Sequence, residues 1–193
     1  MGIEVINICK SYGDKTVLEN ISLSFPAGIT SLMGPSGRGK TTLAYIIAGL
    51  VLPDSGQIEG RDGKRISFVF QEDRLLDWES AIDNLLFVAK STKKNYEKAQ
   101  GLLAQAGLSD SINKKAANLS GGMRRRVCLC RALMADYELL ILDEPFKGLD
   151  SGIKPEIISM VLEENRKNTD KTIICITHDP SEAEFLGGGL VCI

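Results

Sequence analysis

Three short stretches hold residue types that do phosphate chemistry. "GPSGRGKTT", Gly34 to Thr42, fits G-x-x-x-x-G-K-[ST] through Gly34, Gly39, Lys40 and Thr41. Glycines let a backbone curl around phosphate oxygens with successive N–H groups pointing inward. A helix opening at such a loop adds the positive end of its dipole. Lys40 is then placed to reach β- and γ-phosphates, Thr41 to ligate Mg²⁺ and Thr42 to touch the α-phosphate. "LLILDEP" puts Asp143 and Glu144 where an apolar strand emerges. Asp143 suits Mg²⁺, directly or through water, and Glu144 suits a base that polarises attacking water. "NLSGGMRRRV", Asn118 to Val127, is a second helix start built to hold an anion, with two glycines after Ser120. Each stretch has a plainer alternative: a chance glycine turn, a strand ending in solvated acids, or Ser120 acting only as an N-cap.

The elements that must position these residues follow from periodicity. The first 25 residues read as strands, "ISLSF" (Ile21 to Phe25) alternating apolar and polar. "ITSLMG" reads as a strand entering the first loop, with the helix "KTTLAYIIAGL" behind it. "PDSG" (Pro53 to Gly56) is a turn, and "RISFVF" (Arg65 to Phe70) is a strand ending at Gln71. Ala81, Ile82, Leu85, Leu86 and Ala89 form one stripe at helical spacing. Tyr96, Ala99, Leu102, Leu103 and Ala106 form another. "ELLILDEP" and "KTIICITH" are continuous apolar runs, as in parallel strands covered on both faces. Ile153, Ile157, Ile158, Val161 and Leu162 mark a helix between them. The alternation predicts an α/β fold: a P-loop NTPase core with a mainly parallel sheet, a small N-terminal antiparallel β lobe and an inserted helical subdomain. The expected organisation is a single domain over 1–193, with helices inserted at about 72–118.

The 193 residues suffice for one sizeable domain, and 44% hydrophobic with 25% charged residues is ordinary globular composition. A net charge of −2 argues against a general nucleic-acid binder. No apolar run approaches the roughly 20 residues of a membrane span, and "MGIEVINICK" lacks a secretion pattern. Five scattered cysteines and one histidine fit neither a disulfide framework nor a zinc site, which points to the cytoplasm. Cys128 and Cys130 read as small buried thiols. Arg124 to Arg126, like the Arg38 side chain, read as solvated.

With these residues in order, the chain strongly resembles the nucleotide-binding domain of ABC transporters over nearly its whole length. Tyr12 matches the aromatic that stacks on adenine. Gly34, Pro35, Ser36, Gly37, Arg38, Gly39, Lys40, Thr41 and Thr42 match Walker A, and Gln71 the Q-loop. "LSGGM" (Leu119 to Met123) matches the signature, "LLILDEP" Walker B, "GLD" (Gly148 to Asp150) the D-loop and His178 the switch histidine. The resemblance implies a Mg²⁺-dependent ATPase with Glu144, His178 and Lys40 in catalysis, and Thr41, Gln71 and Asp143 at the metal. It also implies a head-to-tail dimer, a homodimer by expectation. Ser120, Gly121 and Gly122 of one chain would cap the ATP held by the other, and this accounts for the second cradle.

"FQEDRLLDWESAIDNL" (Phe70 to Leu85) is similar to importers of nitrate, sulfonates and taurine, where it forms part of a groove for a transmembrane permease. Leu75, Leu76 and Trp78 are candidates for that contact, or for ordinary packing. A solute-binding protein is an indirect partner, and the expected place is peripheral, on the inner face of the cell membrane. Met123 stands in place of the usual glutamine and Asp77 in place of a usual proline. Family members carry further strand and helix beyond "FLGGGLVCI". Two alternatives remain open. A soluble ABC ATPase acting in assembly would share the motifs. A small-molecule P-loop kinase would leave the signature and His178 unused.

Overall fold

The structure, a computed structural model, describes residues 2–193. Strands β1 (Ile3–Tyr12), β2 (Lys15–Phe25) and β4 (Ser55–Glu59) form an antiparallel sheet in the order β2-β1-β4. Strands β3 (Gly28–Met33), β5 (Ile66–Val69), β6 (Leu139–Asp143), β7 (Thr172–Ile176) and β8 (Gly189–Cys192) form a second sheet in the order β5-β6-β7-β3-β8. In it β3 runs parallel to both β7 and β8, and β6 parallel to β7. The α/β class and the small antiparallel lobe expected from sequence are both present.

The chain divides into two compact units. The first comprises Met1–Phe68, Tyr137–Glu144 and Asn168–Ile193. Its core sets Leu43, Ala44, Ile46 and Ile47 of helix α1 (Lys40–Ile47) with Leu32, Leu139, Ile141, Ile174 and Ile176 of the sheet strands. Every residue of β6 and β7 is buried, which is why these strands read as unbroken apolar runs. Helix α6 (Pro180–Leu186) and β8 complete this unit.

The second unit comprises Val69–Asp136 and Pro145–Lys167. Helices α2 (Ala81–Leu86), α3 (Lys93–Gln105) and α4 (Gly121–Met134) pack on one another there, joined by α5 (Lys154–Lys167). The unit extends beyond the 72–118 segment read from sequence. Val127, Leu129, Cys130 and Leu133 of α4 are buried, and α4 packs on both α2 and α3. Helix α2 is shorter than its stripe implied, because Phe87 (72% exposed) and Val88 follow it into solvent. Tyr96 is likewise exposed, not part of the α3 stripe.

Candidate functional site

In the first unit, three neighbouring strands end at one sheet edge. Leu32 of β3 pairs with Ile176 of β7, and Ile176 with Asp143 of β6. Strands in a sheet lie about 4.8 Å apart, so the chain segments that follow emerge side by side. They are Gly34–Thr42 after β3, Glu144 after β6 and His178 after β7. This is the carboxyl edge, where open α/β sheets take ligands.

The first loop has little freedom. Gly39, the N-cap of α1, has φ +84°. A Cβ there would fall 2.7 Å from Leu18 and 2.9 Å from Val17. Gly34 has φ +152°, and a Cβ there would meet the Ile193 carbonyl at 2.3 Å. Pro35, Ser36, Gly37 and Arg38 are exposed, and Thr41 and Thr42 are half-buried in the first turn of α1. That turn holds no acidic residue to oppose an anion. Lys40 is buried, and its Nζ donates to the carbonyls of Gly34 (2.7 Å) and Pro35 (2.9 Å). The ammonium thus lies over its own loop.

Asp143 is buried at the end of β6, and Glu144 beside it has φ +48°. A non-glycine residue in the left-handed region is uncommon and turns the side chain out of the strand's alternation. The Glu144 N–H donates to the Ile176 carbonyl (3.0 Å), and Glu144 Oε1 lies 3.3 Å from His178 Nδ1. His178 is exposed but bracketed. Buried Thr177 donates to buried Glu182 (2.5 Å), and Asp179 caps α6 through Ser181. Thr177, Asp179 and Glu182 therefore orient the histidine segment, and no sequence motif flagged them. Tyr12, at the end of β1, is half exposed, with Lys10 Nζ 5.5 Å from its ring centre.

The remaining candidates lie in the second unit. Ser120 is the N-cap of α4 and accepts from the Met123 N–H at 3.3 Å, so the capping alternative is realised. A Cβ on Gly121 would meet nothing within 4 Å, and one on Gly122 only the Gly148 carbonyl at 3.6 Å. The unit's own packing thus demands neither glycine. A cavity of about 270 Å³ brings Gly121, Gly122 and Gly148 together with Gln71, Asp73, Arg125 and Lys147. Trp78 is 69% exposed, whereas Leu75 and Leu76 are half-buried, which leaves Trp78 as the open apolar group of the three.

Arg124 to Arg126 are not a solvated face. Arg125 is 5% exposed and donates to the Phe70 carbonyl (2.5 Å). Arg124 donates to Asp77 (2.7 Å) and to the Ala116 carbonyl (2.8 Å). Arg126 donates to the Ala106 carbonyl at the end of α3 (2.6 Å). Apart from the Ala116 carbonyl, eight positions before Arg124, these partners lie 20 or more positions away, so no local pattern announced them.

The description "ABC transporter" matches residues 18–147. The chain belongs to the ABC transporter family. Its ABC relatives include the aliphatic sulfonates import ATP-binding protein SsuB 1 of Rhodococcus jostii, 40% identical over 191 residues, covering 96% of this chain and 76% of that protein. The taurine import ATP-binding protein TauB of Escherichia coli O157:H7 is 36% identical over 203 residues, covering 99% and 79%. Among solved structures, the dimeric post-hydrolysis state of the ATP-binding cassette MJ0796 bound to ADP and Pi matches with TM-score 0.87 and 28% identity, covering 99% of this chain and 94% of that one. The chain is accordingly an ABC ATPase whose hydrolysis is coupled to transport, of the importer kind and not a soluble assembly factor. No helix among the described residues is long and apolar enough to cross a membrane.

Proposed function

We propose that this ABC ATPase powers import of nitrate, sulfonates, taurine or a related small molecule, as one of two head-to-tail copies beneath a permease. The observation that carries the site is the shared register of Leu32, Ile176 and Asp143, which brings the phosphate loop, the Asp143–Glu144 pair and His178 to one edge. ATP binds with its phosphates in the Gly34–Thr42 cradle and its adenine on Tyr12. Lys40 leaves its loop carbonyls for the β- and γ-phosphates. Glu144 holds the attacking water, and His178, oriented beside it at 3.3 Å, contacts the γ-phosphate.

Mg²⁺ fits this donor set. The described residues contain no cluster of three or more His, Cys, Asp or Glu side chains. Mg²⁺ needs none, since it binds through one or two carboxylates plus phosphates and water. Thr41, Asp143 and Gln71 would hold it, and it would neutralise charge on the phosphates.

The second cradle serves the neighbour. Gly121 and Gly122 are unexplained by their own unit's packing but are explained by close approach of a partner's triphosphate to Ser120. The MJ0796 cassette, solved as a dimer, supports the presence of a second copy. The permease would dock against the Gln71–Leu85 region through Trp78 and hold the subunit on the inner membrane face. A solute-binding protein would deliver the cargo outside.

Glu144→Gln tests the chemistry. Turnover should fall by about 10²–10⁴-fold with ATP binding kept. Unchanged turnover contradicts the role of Glu144.

A further inference from the structure

Residues 70–77 belong to no helix or strand, yet they include Gln71. A segment without ladder hydrogen bonds needs other partners for its backbone. Much of that holding comes from one helix. Arg125 of α4 donates to the carbonyls of Phe70 (2.5 Å) and Gln71 (3.4 Å) and lies 3.5 Å from Asp73 Oδ1. Arg131 donates to the Arg74 carbonyl (2.6 Å), and Arg124 to Asp77 (2.7 Å). Arg74 in turn stacks on the Phe70 ring, 3.8 Å from its centre. Asn84 of α2 secures the far end, accepting from the Leu76 N–H and donating to its carbonyl.

The spacing suits one helix gripping one strap. Arg124 and Arg131 are seven residues apart, two turns along the same stripe and about 10 Å of axis. Arg125 sits beside the first of them. A guanidinium stays charged in a protein and must be paired when buried. At 5% exposure Arg125 cannot release its carbonyls to water without a large penalty. Its planar fork also fixes the orientation of the peptide groups it holds, which an ammonium would not. Ser120, the N-cap of the same helix, lies little more than one turn away.

We propose that Arg125, assisted by Arg124 and Arg131, is a positioning residue that clamps the 70–77 segment to α4. Gln71 and Ser120 then move as one body. Asp77, unusual where importers carry proline, belongs to this clamp as the acceptor for Arg124. The proposal rests on the assignment of Gln71 and Ser120 to nucleotide and metal, and it states how their positions are coupled. Binding by one chain's Gln71 thereby sets where its own signature turn meets the partner's nucleotide.

The test compares intact protein with Arg125→Met, Arg125→Lys and Arg131→Ala, the last at a half-buried position that severs the Arg74 contact without emptying a buried site. Amide hydrogen exchange is followed over 70–77, with ATP affinity, kcat and Mg²⁺ half-saturation measured alongside. Loss of protection at 70–77 is expected in Arg125→Met and Arg131→Ala. In Arg125→Met kcat falls about 10- to 100-fold at unchanged ATP affinity, and lysine restores part of it. Unchanged protection in a folded variant overturns the clamp, and so does unchanged kcat. Lost protection and lowered kcat with an unchanged Mg²⁺ half-saturation uphold the clamp and remove Gln71 from the metal.

Discussion

Glycine 39 shows how much of the site is backbone. Its φ of +84° and the Val17 and Leu18 atoms within 3 Å of a would-be Cβ leave no room for a side chain. Gly39→Ala forces a left-handed residue, at a cost of roughly 1–2 kcal/mol, and collides as well. Loss of fluorescent ATP-analogue binding with the rest of the domain folded is the expected outcome; retained tight binding means the loop is not the cradle. The roles proposed for Lys40 and Thr41 were legible in sequence because phosphate cradling needs contiguous residues. Those of Thr177, Glu182 and Arg125 were not. Burial of polar side chains depends on what the fold places around them, and Arg125 meets carbonyls more than 50 positions away.

Two separable jobs are proposed for Ser120, the N-cap of helix α4. Ser120 caps it through the Met123 N–H, and its replacement by alanine should cost about 0.5–2 kcal/mol. Aspartate caps as well as serine but brings negative charge to a place reserved for phosphate. Ser120→Asp should therefore keep the melting temperature while abolishing ATP-driven pairing and turnover. If turnover survives, Ser120 is only a cap. The same helix buries Cys128 and Cys130, whose thiols desolvation pushes up to about 11 and about 12, against partial relief from nearby arginines.

A thiol raised in the fold stays protonated while its unfolded counterpart ionises near pH 8.5. The unfolded state then binds fewer protons, so stability falls as pH rises from about 8.5 toward the folded value. The slope is about 1.4 kcal/mol per pH unit for each buried thiol. Urea melts between pH 8 and 10 should show this decline, and Cys130→Ala should make it shallower by one thiol's share; a decline unaltered by that change points elsewhere. Long buried elements such as β6 and β7 were legible as apolar runs. Strand β8 was not. Its residues are mostly exposed, and Gly187 and Gly188, both at positive φ, break any periodicity before it.

At the scale of the whole molecule, each compact unit holds an incomplete set of groups. The phosphate loop, Asp143, Glu144 and His178 lie in one, and Gln71, Ser120 and the signature glycines in the other. Under the proposed arrangement, the signature turn of a second copy would complete the pocket around each nucleotide. The resemblance to the family supplied this reading, in which the second anion-holding helix start serves a neighbour's triphosphate. The cargo was never legible here, since the ATP-hydrolysing groups do not touch it.

The most direct measurement is the solution mass of the Glu144→Gln protein with ATP and Mg²⁺, by light scattering. Twice the 21.0 kDa chain mass is predicted, reverting to the single mass when Ser120→Asp is added. A particle that stays at 21.0 kDa with ATP bound contradicts the shared pocket.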